Sequence, residues 1–208
     1  MWDELGAGMV AIPGGSWRPP GAAADVSLPA PYYYAGDAEV TCTEWDAFCK
    51  ATSRARPQNF PGRTDEPVRL ISLADAQAYC AWRSKDRKKV VFRLPTEVEW
   101  ERAARGRSGR EFPWGDQFED WRKDYAAVAG QLLRVKSFER DRNDLGLYDL
   151  VGNVAELTSS KRGEQLVVRG GSMSSERKGS GASAAVAVKK GDEVSPTIGL
   201  RVFAVEKQ

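Results

Sequence analysis

Three cysteines, Cys42, Cys49 and Cys80, are the only thiols in the chain, and its 208 residues include no histidine. Without an imidazole there is no Ser-His-Asp or Cys-His relay, no His-ligated zinc and no facial iron triad. The cysteines are odd in number and no two stand as C-x-x-C, so neither a disulfide framework nor thiolate zinc or redox chemistry is expected. Cys49 falls with Trp45, Phe48 and Thr52 at helical spacing, which marks it as a small core hydrophobe rather than a nucleophile. Glu97, Glu99 and Glu101 offer a second candidate, an acid-base cluster. They follow Thr96 with the spacing of a capping box, and carboxylates in a first helical turn suit the helix dipole, so their expected work is structural.

The elements that would carry these residues are short. Thr41-x-x-Glu44, Ser72-x-x-Asp75 and Thr96-x-x-Glu99 each read as a helix start. Ala76, Tyr79 and Cys80 form the inner stripe of the second helix, and Val98, Trp100, Ala103 and Ala104 that of the third. Met9 to Trp17 reads as a strand pair turned at Pro13-Gly14-Gly15, residues 18–30 and 53–69 as loop, Leu166-Val167-Val168 as a strand and Gly199 to Phe203 as a closing strand. Twenty Gly and eleven Pro are too many for a helix bundle, so the expected class is α+β with much irregular backbone. That much loop is expected to need a bound ion or a tight polar network.

Net charge is +2 with basic and acidic residues interspersed, so no nucleic-acid footprint is expected. No apolar run approaches the ~20 residues of a membrane-spanning helix, and Met1-Trp2-Asp3-Glu4 has no signal-peptide character. As written the chain reads as cytoplasmic; a piece of a longer, extracytoplasmic protein would read the same.

Eight blocks stand in a definite order. They are Met9-Val10-Ala11-Ile12-Pro13-Gly14-Gly15, Glu39-Val40-Thr41, the segment Ser72 to Trp82, and Arg93-Leu94-Pro95-Thr96-Glu97-x-Glu99-Trp100 running on to Gly106. Phe112-Pro113-Trp114-Gly115-Asp116, Gly146-Leu147-Tyr148-Asp149-Leu150-Val151-Gly152-Asn153-Val154-x-Glu156, Arg169-Gly170-Gly171-Ser172 and Gly199-Leu200-Arg201-Val202 complete the set. In this order they resemble the formylglycine-generating-enzyme (sulfatase-modifying-factor) family over residues 9–203, which implies one domain spanning 1–208 and a C-type-lectin-like fold of the α+β class. The fold alone assigns no activity.

Catalytic members of that family bind copper(I) through two cysteines spaced C-x4-C after Arg-Gly-Gly-Ser. The matching positions are Ser175 and Ser180, and a hydroxyl is a poor ligand for a soft ion. The resemblance therefore implies a member without copper and without formylglycine-forming activity. The histidine-bound iron of the ergothioneine-pathway relatives is equally without ligands. Cys80 matches a structural cysteine of some relatives whose partner position is Ala185, so a free, buried thiol is expected.

Asp149, Gly152, Val154 and Glu156 match a family calcium site made of two side-chain oxygens and two carbonyls, and one structural calcium is expected there. A second family site would need an Asn where Ala127 stands. The face after Arg-Gly-Gly-Ser is where relatives hold peptides or ligands. Here it would carry Ser174, Ser175, Glu176, Arg177, Lys178, Lys189, Lys190, Asp192 and Glu193. A non-catalytic module binding a protein or peptide, in a bacterial recognition or sensor role, is the leading expectation. Alternatives are a partner of a Ser/Thr kinase or secretion system, a variable protein of a diversity-generating retroelement, and a divergent enzyme using Asp116, Glu156 and the Trp114 neighbourhood.

Overall fold

The computed structural model describes residues 1–61, 64–117, 131–175, 181–188 and 194–207. A short helix α1 (Trp2–Leu5) precedes β1 (Met9–Trp17) and β2 (Val26–Gly36). Then come α2 (Cys42–Thr52), α3 (Leu73–Ser84), β3 (Val90–Arg93) and α4 (Glu97–Arg105). The second half holds β4 (Ala155–Arg162), β5 (Gln165–Arg169), β6 (Ala185–Val188), β7 (Ile198–Gly199) and β8 (Phe203–Glu206). Among the described residues no helix is long and apolar enough to cross a membrane.

Among the described residues two four-stranded sheets form, ordered β1-β2-β8-β3 and β6-β5-β4-β7. The first is antiparallel throughout, and in the second β4 and β7 run parallel. With short helices and irregular connections this is the C-type-lectin-like arrangement of the α+β class. All three expected helix starts carry complete capping boxes: Thr41 with Glu44, Ser72 with Asp75, and Thr96 with Glu99.

Three strand readings need correction. Met9 to Trp17 is one strand with an irregularity between Pro13 and Gly15, not a pair joined by a turn. Residues 26–30, expected as loop, begin β2. Opposite them Gly14 approaches so closely that a Cβ would lie 1.7 Å from the Pro29 carbonyl oxygen. The closing strand is interrupted: β7 ends at Gly199 and β8 starts at Phe203, so Leu200, Arg201 and Val202 cross between the two sheets.

Two apolar clusters fill the molecule. One sets Trp45, Phe48, Tyr79 and the three cysteines against the sheets through Phe92, Leu157, Leu166 and Val168. Trp45 and Tyr79 stack at 5.3 Å, and Phe48 meets Tyr79 edge-on at 5.4 Å. The other gathers Ile12, Tyr33, Leu147, Leu150 and Phe203 around Trp100. Trp100 thus lies between core and loops, where its indole N–H can serve a polar partner.

Candidate functional site

The turn after β5 is where the expected copper ligands would stand. Gly170 and Gly171 take positive φ values of 89° and 70°, a region L side chains rarely adopt. A Cβ at Gly170 would also sit 3.0 Å from the Trp100 ring, so this glycine is fixed by packing as well as by conformation. The turn then closes on itself. Ser172 N donates to Ser175 Oγ at 2.8 Å, Ser175 N donates to the Ser172 carbonyl at 2.9 Å, and Ser174 N donates to Ser172 Oγ at 3.2 Å. Two backbone bonds of 2.8 Å, Gly152 N to Gly170 O and Met173 N to Asn153 O, tie it to the loop before β4.

Ser175 is therefore a hydroxyl spent on its own turn. With no imidazole in the chain, no general base of the usual kind can activate it. Ser180, Glu176, Arg177, Lys178, Lys189, Lys190, Asp192 and Glu193 lie outside the described residues, as does Ala127, so Ser174 and Ser175 are what the structure places of the expected ligand face.

The three thiols are no substitute. Each cysteine is buried and free of disulfide. Burial pushes the Cys42 thiol up to about 11 and the Cys80 thiol up to about 12, and it raises Cys49 as well. Such groups stay protonated at neutral pH and are poor nucleophiles and poor metal ligands. Glu99 is committed to structure too: its carboxylate accepts from Thr96 N at 2.8 Å and grips Arg93 through bonds of 2.7 and 2.6 Å. Glu101 holds Arg105 and the buried Arg169, each at 2.8 Å. In the Trp114 neighbourhood, Trp114 stacks on Phe112 at 5.3 Å and Asp116 Oδ1 accepts from Glu111 N at 3.0 Å. Among the described residues these are turn contacts.

Beneath the loop lies a charged cluster that the expected metal site only partly foresaw. Arg201, fully buried, donates from Nε to both Glu156 oxygens at 3.0 Å and from an Nη to Glu156 Oε1 at 2.7 Å. Trp100 Nε1 donates to the other Glu156 oxygen. The remaining Arg201 protons reach the carbonyls of Gly36 at 2.9 Å and Tyr148 at 2.7 Å. Burial pulls the Arg201 guanidinium toward neutrality, but the Glu156 charge and hydrogen bonds outweigh it and raise its pKa.

Asp149 and Glu39 complete the cluster, both buried. Asp149 holds a positive φ of 54°, and its Oδ2 accepts from Lys136 N at 2.6 Å. Among the described residues, Asp149 Oδ1 and Glu39 Oε1 have no hydrogen-bond partner. Burial, then the Asp149 charge, lifts the Glu39 carboxyl well above the usual carboxylate range. Burial raises Asp149 as well.

Does this cluster suit the expected calcium? One arginine faces three carboxylates, and two buried oxygens lack donors, so the charge has room for a further cation. Asp149 Oδ1 and the carbonyls of Gly152 and Val154 are suitable hard donors. Glu156 is not free, because Arg201 and Trp100 take its oxygens. Among the described residues no three acidic or thiol side chains converge as metal ligands. An ion here would rest on Asp149 and backbone carbonyls, while Glu156 stays bound to Arg201. Glu39, missed by the sequence reading, sits in the Glu39-Val40-Thr41 block; its place before a helix cap gave no hint of a buried acid.

The chain is 46% identical over 107 residues to the inactive C-alpha-formylglycine-generating enzyme 2 of Bos taurus, a match covering 46% of this chain and 33% of that protein. It is 37% identical over 110 residues to the formylglycine-generating enzyme of Mus musculus, covering 47% of this chain and 28% of that one. These matches span about a third of the length of the curated relatives. A solved structure, PvdO from Pseudomonas aeruginosa, shares the fold with a TM-score of 0.76 at 24% identity, covering 96% of this chain and 94% of that one. The family model of the sulfatase-modifying factor enzyme 1-like domain matches residues 3–205, and with that match across both sheets and the intervening loops, the chain belongs to the FGE-sulfatase family.

Proposed function

We propose that this domain is a non-catalytic recognition module of its family, one that binds a protein or peptide and does not oxidise it. The observation that carries the reading is Ser175. By the resemblance it matches the first copper thiolate of catalytic members, and its hydroxyl closes its own turn with Ser172. The relative from Bos taurus named inactive supports the same reading, whereas the mouse relative bears an enzyme's name, so the residues themselves must decide. A soft copper(I) ion needs thiolates, and the three thiols of this chain are buried elsewhere.

The test is to incubate the protein with copper, dioxygen and a Cys-x-Pro-x-Arg peptide, then weigh the peptide. Its mass is expected to remain unchanged, and copper(I) competition is expected to show no tight site. Appearance of the aldehyde would overturn the reading.

A structural calcium belongs to the same proposal. Asp149 with the carbonyls of Gly152 and Val154 would hold it, and it would neutralise the surplus negative charge around Arg201. In this reading the ion fixes the loop that supports the Ser172–Ser175 turn and takes part in no reaction.

A further inference from the structure

On another part of the molecule, α2 and α3 leave an open groove of about 840 Å³, within the ~300–1,000 Å³ typical of ligand clefts. The groove exists because Ala51, Ala78 and Ala81 are too small to fill the space beside Trp82. Trp82 is half-buried and tilts against Phe48 at 5.6 Å, giving the groove an aromatic floor. Its rim is basic: Arg54, Arg83, Lys85 and Arg87 stand against the single acid Asp86.

Two of those cations are already engaged. Arg54 pairs with Asp75 at 3.0 Å, and Arg83 lies over the Phe92 ring at 4.5 Å with Glu44 at 3.9 Å. The Lys85 and Arg87 side chains make no ion pair among the described residues. They belong to a run, residues 83–89, in which five of seven residues are basic and one is acidic, in a chain whose net charge is only +2. Positive charge is thus concentrated at one end of an apolar groove.

We propose that this groove binds an acidic peptide segment of a partner protein, with an apolar side chain on Trp82 and the alanines and flanking carboxylates on Lys85 and Arg87. A peptide suits the groove better than a nucleic acid. Asp86, with Asp75 and Glu44 beside Arg54 and Arg83, interrupts the positive field at short intervals. Discrete carboxylates can avoid those acids, whereas a continuous phosphate backbone cannot. The groove is built by α2 and α3 rather than by the Ser172–Ser175 turn, so this inference stands whether or not that turn is catalytic.

Fluorescence anisotropy tests it on the intact chain with a fluorescein-labelled peptide of Asp and Glu residues around a central Leu-Phe pair. Saturable binding is expected, weakened about tenfold by the double charge reversal Lys85→Glu, Arg87→Glu, since two solvent-facing ion pairs together carry about 1 kcal/mol and reversal adds repulsion. Trp82→Ala is expected to weaken it similarly. If that variant melts early, Ala81→Gln, at an exposed position, fills the floor without touching the core. Three results would each overturn the proposal: no binding at protein concentrations up to millimolar, equal binding of a peptide with Gly-Ser in place of Leu-Phe, or a single-stranded oligonucleotide of matched charge binding more tightly.

Discussion

At Ser175 a single atom separates a hydroxyl from the thiolate that copper(I) requires, and the lighter atom is also the better acceptor for Ser172 N. Sequence alone reached this position because it lies a fixed distance from Arg169. The cysteines were equally legible, since helical spacing placed Cys49 and Cys80 on inner stripes. A thiol reagent is expected to label all three slowly under native conditions and all three at once after denaturation; rapid native labelling would contradict their burial. Glu156 and Arg201 are the opposite case. The two lie 45 residues apart, and neither has a periodic neighbour that announces a partner, so Glu156 was expected to face an ion and instead grips a guanidinium. Arg201→Met should cost about 3–5 kcal/mol in urea unfolding, because it leaves a buried carboxylate unpaired. A loss below 1 kcal/mol would mean that Glu156 finds another cation or takes up a proton.

At the scale of elements, the three helix starts were readable and the start of β2 was not. A capping box is a local signal, complete within four residues. β2 carries no such mark, because Pro29 and Pro31 disguise it as loop. Proline cannot donate to a ladder, yet it is tolerated at an irregularity and where one edge lacks a partner. Both conditions hold here: the pairing with β1 skips from Tyr32 to Leu28, and β8 pairs with β2 only at Tyr34 and Ala35. The capping reading itself is testable. Thr96→Ala should lower stability by about 1 kcal/mol. Burial works to raise the Glu99 pKa, but Arg93 and the Thr96 bonds prevail and hold it below its ordinary 4.5. Its stabilisation is therefore full above the unfolded carboxylate's pKa and lost as pH falls through the lowered folded value. Glu99→Gln should flatten that acid limb of a stability-against-pH curve; an unchanged limb would assign the acid sensitivity elsewhere.

For the molecule as a whole, family and fold were legible through the order of motifs, while the buried charge cluster emerged only from long-range packing. If calcium binds the native state alone, a hundredfold excess over Kd adds about 2.7 kcal/mol. For a domain of this size that is about 5–10 °C in melting temperature. Metal-stripped protein should show this rise with calcium, and Asp149→Ala should lose most of it. A melting curve indifferent to millimolar calcium would sink the site. The crossing segment at residues 200–202 has a further consequence, for synthesis on the ribosome. β8 is the strand that joins β2 to β3, and β7, just before it, closes the other sheet beside β4. Until residues 198–206 leave the exit tunnel, the nascent chain holds a β1-β2 hairpin, an unpaired β3 and an open edge on β4. Neither sheet can mature before the other, so folding of this domain must wait for residues 198–206, and a ribosome stalled before they emerge would present unfinished edges to any chaperone nearby.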